Sequence, residues 1–177
     1  MIVQFAHLFS FNVMPNTTTL FALDQIRTVK AKPGFESLPF YQHTVSMLEC
    51  VSTHNFDVLA SICDDDFGII DLDPQGKSVV VANRAEWENW FQSLFAKLKE
   101  MKAQTNSEII NYQAIQTAEM GYCVLDFCQN LEVGGFVGKF FCVATIIWKK
   151  VGEEWKESRW HVSLIRTEPE NLLQMVG

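Results

Sequence analysis

The sequence predicts an α+β domain on three observations. Helical apolar spacing is confined to the first half of the chain, from Pro39 to Met101. Four long strand-like runs fill the second half, from Gln104 to Thr167, and the breaks between them are short enough for hairpins. A chain of 177 residues, 48% hydrophobic and 20% charged, suits one globular domain with its own core and not a disordered acidic segment. Its 14 basic against 21 acidic residues leave a formal charge of −7, which repels phosphate backbones and argues against a nucleic-acid partner. No apolar run reaches the ~20 residues of a membrane helix, so no membrane partner is expected.

The segment Met1–Val13 is apolar but has no basic start and no small-residue cleavage site, so it fails as a secretory signal. It reads equally as an accidental extension ahead of Met14 or as a short arm packed on the body. Asn16-Thr17-Thr18 fits a glycosylation triplet of a kind common by chance. Residues 1–37, with Pro15, Pro33 and Gly34, read as an irregular or part-helical lead-in, 38–168 as the domain and 169–177 as a tail. Phe40, Val45, Leu48 and Val51 fall at helical spacing behind Pro39, which suits a first-turn position. Asn55 caps a second, short helix over Phe56–Cys63. Asp64–Asp71 reads as a short strand ending in the turn Asp73-Pro74-Gln75-Gly76. Asn83 with Glu86 forms a capping box ahead of the longest helix, which buries Trp87, Trp90, Phe91, Leu94, Leu98 and Met101 as core packing.

The strand runs are Gln104–Ala118, Tyr122–Val133, Phe136–Lys150 and Trp155–Thr167, broken at Met120-Gly121, Gly134-Gly135 and Val151-Gly152-Glu153. Strands this long and this tightly joined make an antiparallel meander that must curl, because sheets twist. The expected architecture is therefore three N-terminal helices packed on a strongly curved antiparallel sheet, leaving a closed-ended cone. Five cysteines, Cys50, Cys63, Cys123, Cys128 and Cys142, stand mostly in apolar stretches and form no Cys-x-x-Cys pair. They read as reduced core thiols of a cytoplasmic protein, with no metal site and no cofactor implied.

Two stretches carry a resemblance. His54–Asp66, followed by Asp71, resembles the helix, Asp-Asp, strand opening of the nuclear transport factor 2-like superfamily, which includes ketosteroid isomerases and SnoaL-like polyketide cyclases. Ala144–Thr167 (ATIIWKKVGEEWKESRWHVSLIRT) resembles the final strand pair of its SnoaL-like branch and is especially similar to the association domain of calcium/calmodulin-dependent kinase. The likeness spans about residues 38–168 in order. It implies the cone-shaped fold of that superfamily and a cavity inside the cone.

The resemblance places Asp71 where ketosteroid isomerases keep their proton-abstracting Asp, and desolvation in an apolar cone would raise its pKa for work beside a carbonyl. It also places Met47 where those isomerases have an oxyanion-binding Tyr, and Thr145, Ile146 and Ile147 where their second donor stands, which argues against steroid isomerisation. The bland alternative for Asp71 is a polar strand end before a Pro-Gly turn. On the last strand, simple alternation puts Arg159, His161 and Ser163 on one face with Trp155 and Glu157. In the kinase association domain the matching face looks into a pocket that takes small carboxylates. Arg159 would fork an anion and His161 would serve as donor or general acid. Val143 stands where that family's other pocket Arg would be. The alternative turns this face to water or to a dimer contact. Tyr122 and Asp126, with Asn130, could line the same pocket or a wet face. His43 and His54 read as an exposed or satisfied helix residue and a turn residue. From Pro33 to Gly76 the chain has eight acids and no Lys or Arg, a solvated bend or a contact for a basic partner.

Three functions stay open. The first is binding of a small apolar or carboxylate-bearing ligand in the cavity of a homodimeric protein. The second is a SnoaL-like cyclase or isomerase using Asp71 or His161 as acid–base. The third is an oligomeric assembly module. A cavity closed by aromatic side chains would accommodate none of the ligand readings.

Overall fold

The computed structural model describes residues 29–31, 33–72 and 78–169. Residues 1–28, including the apolar start and the Asn16 triplet, lie outside them, as do residue 32, residues 73–77, where a turn is expected, and residues 170–177. Within the described residues the chain runs β1 (Val29–Ala31), α1 (Tyr41–Thr53), α2 (Phe56–Ile62), β2 (Cys63–Leu72), β3 (Ser78–Val81), α3 (Arg84–Glu100), β4 (Gln104–Gln116), β5 (Met120–Val133), β6 (Phe136–Val151) and β7 (Glu154–Glu168). Three helices and one seven-stranded sheet in the order β1-β4-β5-β6-β7-β2-β3 make the α+β fold the sequence predicts.

The helices start where their caps require. Asn55 accepts from the Val58 N–H at 3.3 Å to open α2, and Asn83 accepts from the Glu86 N–H at 3.0 Å to open α3. The Glu86 carboxylate closes that second box on the Ala82 N–H, one residue earlier than the simplest capping box. Pro39 is not in the first turn of α1. The helix begins after Phe40, which adopts a left-handed φ of 60° without a side-chain cap, and the Pro39 carbonyl instead accepts from the Tyr112 hydroxyl at 2.9 Å. In α3 the buried stripe is Trp87, Phe91, Leu94, Phe95 and Leu98, with Trp90 and Met101 at its margins.

The sheet departs from a purely antiparallel meander in three ways. β2 pairs parallel to β7 on one side and antiparallel to β3 on the other. Val29–Ala31, inside the expected irregular lead-in, pairs parallel to β4. The sheet is open, with β1 and β3 at its edges and no closure between them. The acidic Asp64–Asp66 is strand and not a solvated bend. It passes alongside β7 through a wide irregularity, in which Cys63 pairs with Glu157 and Gly68 already pairs with Arg159.

All three helices pack on one face. On that inner face the even residues of β6, from Phe140 through Cys142, Ala144 and Ile146 to Trp148, are buried. The core between the layers is dense with rings: Trp87 against Phe67 and Phe91, Phe91 against Trp160, and Phe40 stacked on Trp148 at 5.6 Å and 10°. Gly121 is opposite Trp148 in register, and a Cβ there would lie 2.4 Å from the Phe40 ring and 2.5 Å from the Ile115 carbonyl oxygen. Only glycine lets Phe40 close that end of the core.

Candidate functional site

One bulge decides which side chains face the interior. Ile147 pairs with Arg159 and Trp148 with Glu157, so Ser158 is an extra residue in β7. Strict alternation back from Arg159 would put Glu157 and Trp155 beside it. The inserted residue breaks that parity. Glu157 and Trp155 join Trp160 and Val162 on the helix-facing side, while Arg159, His161 and Ser163 take the opposite, outer face. The expected common face of Trp155, Glu157, Arg159, His161 and Ser163 is thereby corrected.

On the outer face, Arg159 forms an ion pair with Asp66 at 2.8 Å and also donates to the Asp66 carbonyl oxygen, lying flat over Gly68. That pair holds the Asp66 carboxyl below its usual value. The His161 ring is exposed and Ser163 half-buried. Tyr122 and Asp126 share this face, Tyr122 exposed at 42% and Asp126 accepting weakly from Asn111 at 3.4 Å. Asp71 pairs through its backbone with Val79 of β3, and its side chain lies outside the described residues. Trp155 is the one expected site residue among these that meets the interior, with its ring edge-on to Phe40 at 5.0 Å.

The interior carries a polar seam that the expected set does not include. Glu157 is 1% exposed, and its Oε2 accepts from the Cys63 thiol at 3.3 Å. Its Oε1 has no partner among the described residues. Burial pushes the Glu157 carboxyl up to about 7, and the Cys63 thiol rises too, from burial first and the neighbouring Glu157 second. The indole N–H groups of Trp87 and Trp160 are likewise buried without acceptors. Further along the inner face the Thr44 hydroxyl meets the Tyr112 hydroxyl at 3.3 Å and the Cys123 thiol at 3.5 Å. Burial raises both Tyr112 and Cys123. A buried acid without a cation is costly, and a core built only for packing has no use for one.

A signal for Glu157 is present in the sequence. Trp155 and Trp160 are both apolar yet five positions apart, hence of opposite parity, so a strand that buries both must contain a bulge between them.

The joint from α2 into β2 stands beside this acid. Arg84 of α3 donates to the carbonyls of Ala60 at 2.9 Å, Cys63 at 3.3 Å and Asp64 at 3.4 Å, and Lys156 donates to the Ser61 carbonyl at 2.8 Å. Lys149 pairs with Asp64 at 3.2 Å. The acidic stretch is thus answered in part from within the chain. No group of His, Cys, Asp and Glu among the described residues has the arrangement of a metal site. An open cleft of about 470 Å³, lined by Ala118, Glu119, Met120, Lys149, Lys150 and Gly152, holds none of the expected site residues. No helix among the described residues is long and apolar enough to cross a membrane, which says nothing of strand-built membrane proteins.

Comparison with known proteins places this geometry in a family. Residues 42–167 match the model of the SnoaL-like domain. No curated protein matches the sequence. Among solved structures, a scytalone dehydratase candidate from Novosphingobium aromaticivorans is 11% identical with a TM-score of 0.60, covering 71% of this chain and 81% of its own. An NTF2-like protein with a cystatin-like fold from the same organism is 10% identical with a TM-score of 0.59, over 75% of this chain and 84% of its own. A candidate calcium/calmodulin-dependent kinase II association domain from Xanthomonas campestris is 16% identical with a TM-score of 0.57, over 73% and 92%. At these identities the likeness shows the fold, α+β and NTF2-like.

Proposed function

The chain belongs to the SnoaL-like domain family, and from that premise we propose that it binds a small, flat, largely apolar molecule between the helices and the sheet, in space made when the ring-packed core parts at its Glu157 end, with Glu157 as the proton-exchanging group. The observation that carries this reading is the Glu157 carboxyl: fully enclosed, partnered at one oxygen only, and without a cation to hold its charge. At a value of about 7 the group can deliver and recover a proton near neutrality, as acid–base chemistry needs. The groups left unpartnered among the described residues on the strands around Glu157 are donors, the indole of Trp148 opposite it on β6 and that of Trp160 along β7, so the favoured ligand brings an acceptor oxygen. A carboxylate-bearing ligand has less support, because Arg159 is engaged by Asp66 on the other face. His161 on that face is poorly placed for this interior chemistry. Asp71 keeps its place as a candidate second acid–base group at the end of β2. The dehydratase named among the structural neighbours is consistent with an acid–base reading and does not by itself support one.

The test uses 2-acetylnaphthalene, flat and uncharged with one carbonyl acceptor, followed by quenching of the tryptophans. Saturable binding is expected, weakening as pH rises through about 7, and losing that pH dependence in Glu157→Gln. Absence of saturable quenching overturns the reading. Asp71→Asn, run alongside, leaves binding unchanged if Asp71 acts only in catalysis.

A second reading concerns assembly. The outer sheet face exposes Ile70, Val80, Ile115 and Tyr122, apolar side chains where a wet face would be polar. We propose that a second copy of this chain covers it, giving a homodimer.

A further inference from the structure

We infer that α2 is a lid over the Glu157 end of the interior, latched by Arg84 and Lys156 and hinged at His54-Asn55 and at Cys63. Three observations carry this. First, the helix is short, Phe56–Ile62, and only Leu59, at 1% exposure, is fully buried; Phe56, against the Trp87 ring, Ala60 and Ile62 are covered in part, so two turns of marginal packing hold it down. Second, its last turn is held by cations from two other elements: Arg84 of α3 on the Ala60 and Cys63 carbonyls, and Lys156 of β7 on the Ser61 carbonyl. Positive groups at a helix C-terminus satisfy its unpaired carbonyls and its negative pole, and such contacts, partly exposed, can be made and broken without disturbing the core. Third, the backbone changes conformation sharply at both ends. His54 takes a left-handed φ of 57°, and Cys63 enters the extended strand at once, with no loop between α2 and β2. Cys63 is also the residue whose thiol rests on Glu157, so lifting the end of α2 uncovers the acid and the thiol together.

The inference gives the proposed interior site its entrance, and it rests on that reading for its purpose alone. Opening is read chemically. The chain has five free, buried cysteines in the described fold, which serve as internal clocks. Native protein is exposed to N-ethylmaleimide for increasing times, and modification at each cysteine is followed by peptide mass spectrometry. Cys63 is expected to react on the order of 100-fold faster than Cys123, which is 0% exposed beneath α1 and becomes accessible only on global unfolding. Lys156→Met and Arg84→Met are each expected to accelerate Cys63 about tenfold and leave Cys123 unchanged, in line with the modest strength of such end contacts. Equal rates at Cys63 and Cys123 in the parent, no reaction at Cys63, or acceleration of both cysteines together would each overturn the lid. Should Arg84→Met fail to fold, Lys156→Met alone decides. Labelling requires no ligand. A chain that exposes Cys63 but binds no acetylnaphthalene keeps the lid and loses the site, and the reverse result loses the lid alone.

Discussion

Burial without a cation lifts the Glu157 carboxyl from 4.5 to about 7, so the folded chain keeps its proton over a range where the unfolded chain has released it. The native state binds the extra proton, so stability falls as pH rises between those values and is lowest above about 7. At about 1.4 kcal/mol per pH unit the whole effect is on the order of 3 kcal/mol. His54 works in the opposite sense. Its ring stacks on Phe95, its Nε2 is buried with no partner among the described residues, and burial holds it below 6.5, so its neutral form supports the fold until pH falls below that value. Glu157→Gln removes only the alkaline loss. Relative to the parent it should gain roughly 2 kcal/mol at pH 8 over its position at pH 5, measured by urea denaturation at both. An equal offset at the two pH values would mean that the acid is not titrating in the core. Arg159, His161 and Ser163 could be named from the sequence, because a charged or polar residue announces itself. That Trp155 and Glu157 turn away from them was harder to read, because the opposite parity of Trp155 and Trp160 calls for a bulge without placing it at Ser158.

Individual elements were legible where local chemistry sets them. Asn55 and Asn83 with Glu86 marked two helix starts, and Gly134-Gly135 and Gly152 marked two hairpins, because caps and turns depend on neighbours in sequence; the break expected at Met120-Gly121 falls inside β5 instead, its turn lying at 117–119. The start of α1 was not legible, because Phe40 is held left-handed by its ring packing on Trp148 and Trp155, far along the chain. That contact makes Gly121 and Gly68 behave differently on substitution. At Gly121 a methyl meets the Phe40 ring and a backbone carbonyl at 2.4–2.5 Å, and neither can move freely. At Gly68 it meets the Arg159 Cδ and Nε at 3.2 Å, the far part of a flexible side chain. Gly121→Ala should cost about 2–3 kcal/mol of stability, and Gly68→Ala under about 1 kcal/mol. The two are compared by denaturation, with tryptophan near-UV circular dichroism reporting loss of the Phe40–Trp148 stack in the first only. Similar costs at both positions would mean that Phe40 does not close the core end as described.

The whole molecule brings together strands that its sequence separates, and this is where reading the chain falls short. The four-strand meander is consecutive and could be read as a unit. The parallel joins of β2 to β7 and β1 to β4 depend on pairings about ninety and eighty residues apart, which no local pattern encodes. Those joins widen the outer face to seven strands. Its centre runs through Val124, Thr145 and His161 in register, between the exposed Ile115–Tyr122 pair and the exposed Ile70–Val80 pair. Stable interfaces cover roughly 800 Å² per partner, and a sheet of this breadth, with strands about 4.8 Å apart, has room for that. Charges on it are paired in place, Arg159 with Asp66 and both Lys139 and Arg166 with Glu168, so two copies can meet there although each chain carries −7. In a twofold contact a residue near the axis faces its own copy, so a new like charge there meets itself. Light scattering should therefore return twice 20.2 kDa for the parent, and Thr145→Lys should return 20.2 kDa with its fold intact by circular dichroism. A parent that stays at 20.2 kDa at micromolar concentration removes the dimer, and a dimeric Thr145→Lys places the contact on some other surface.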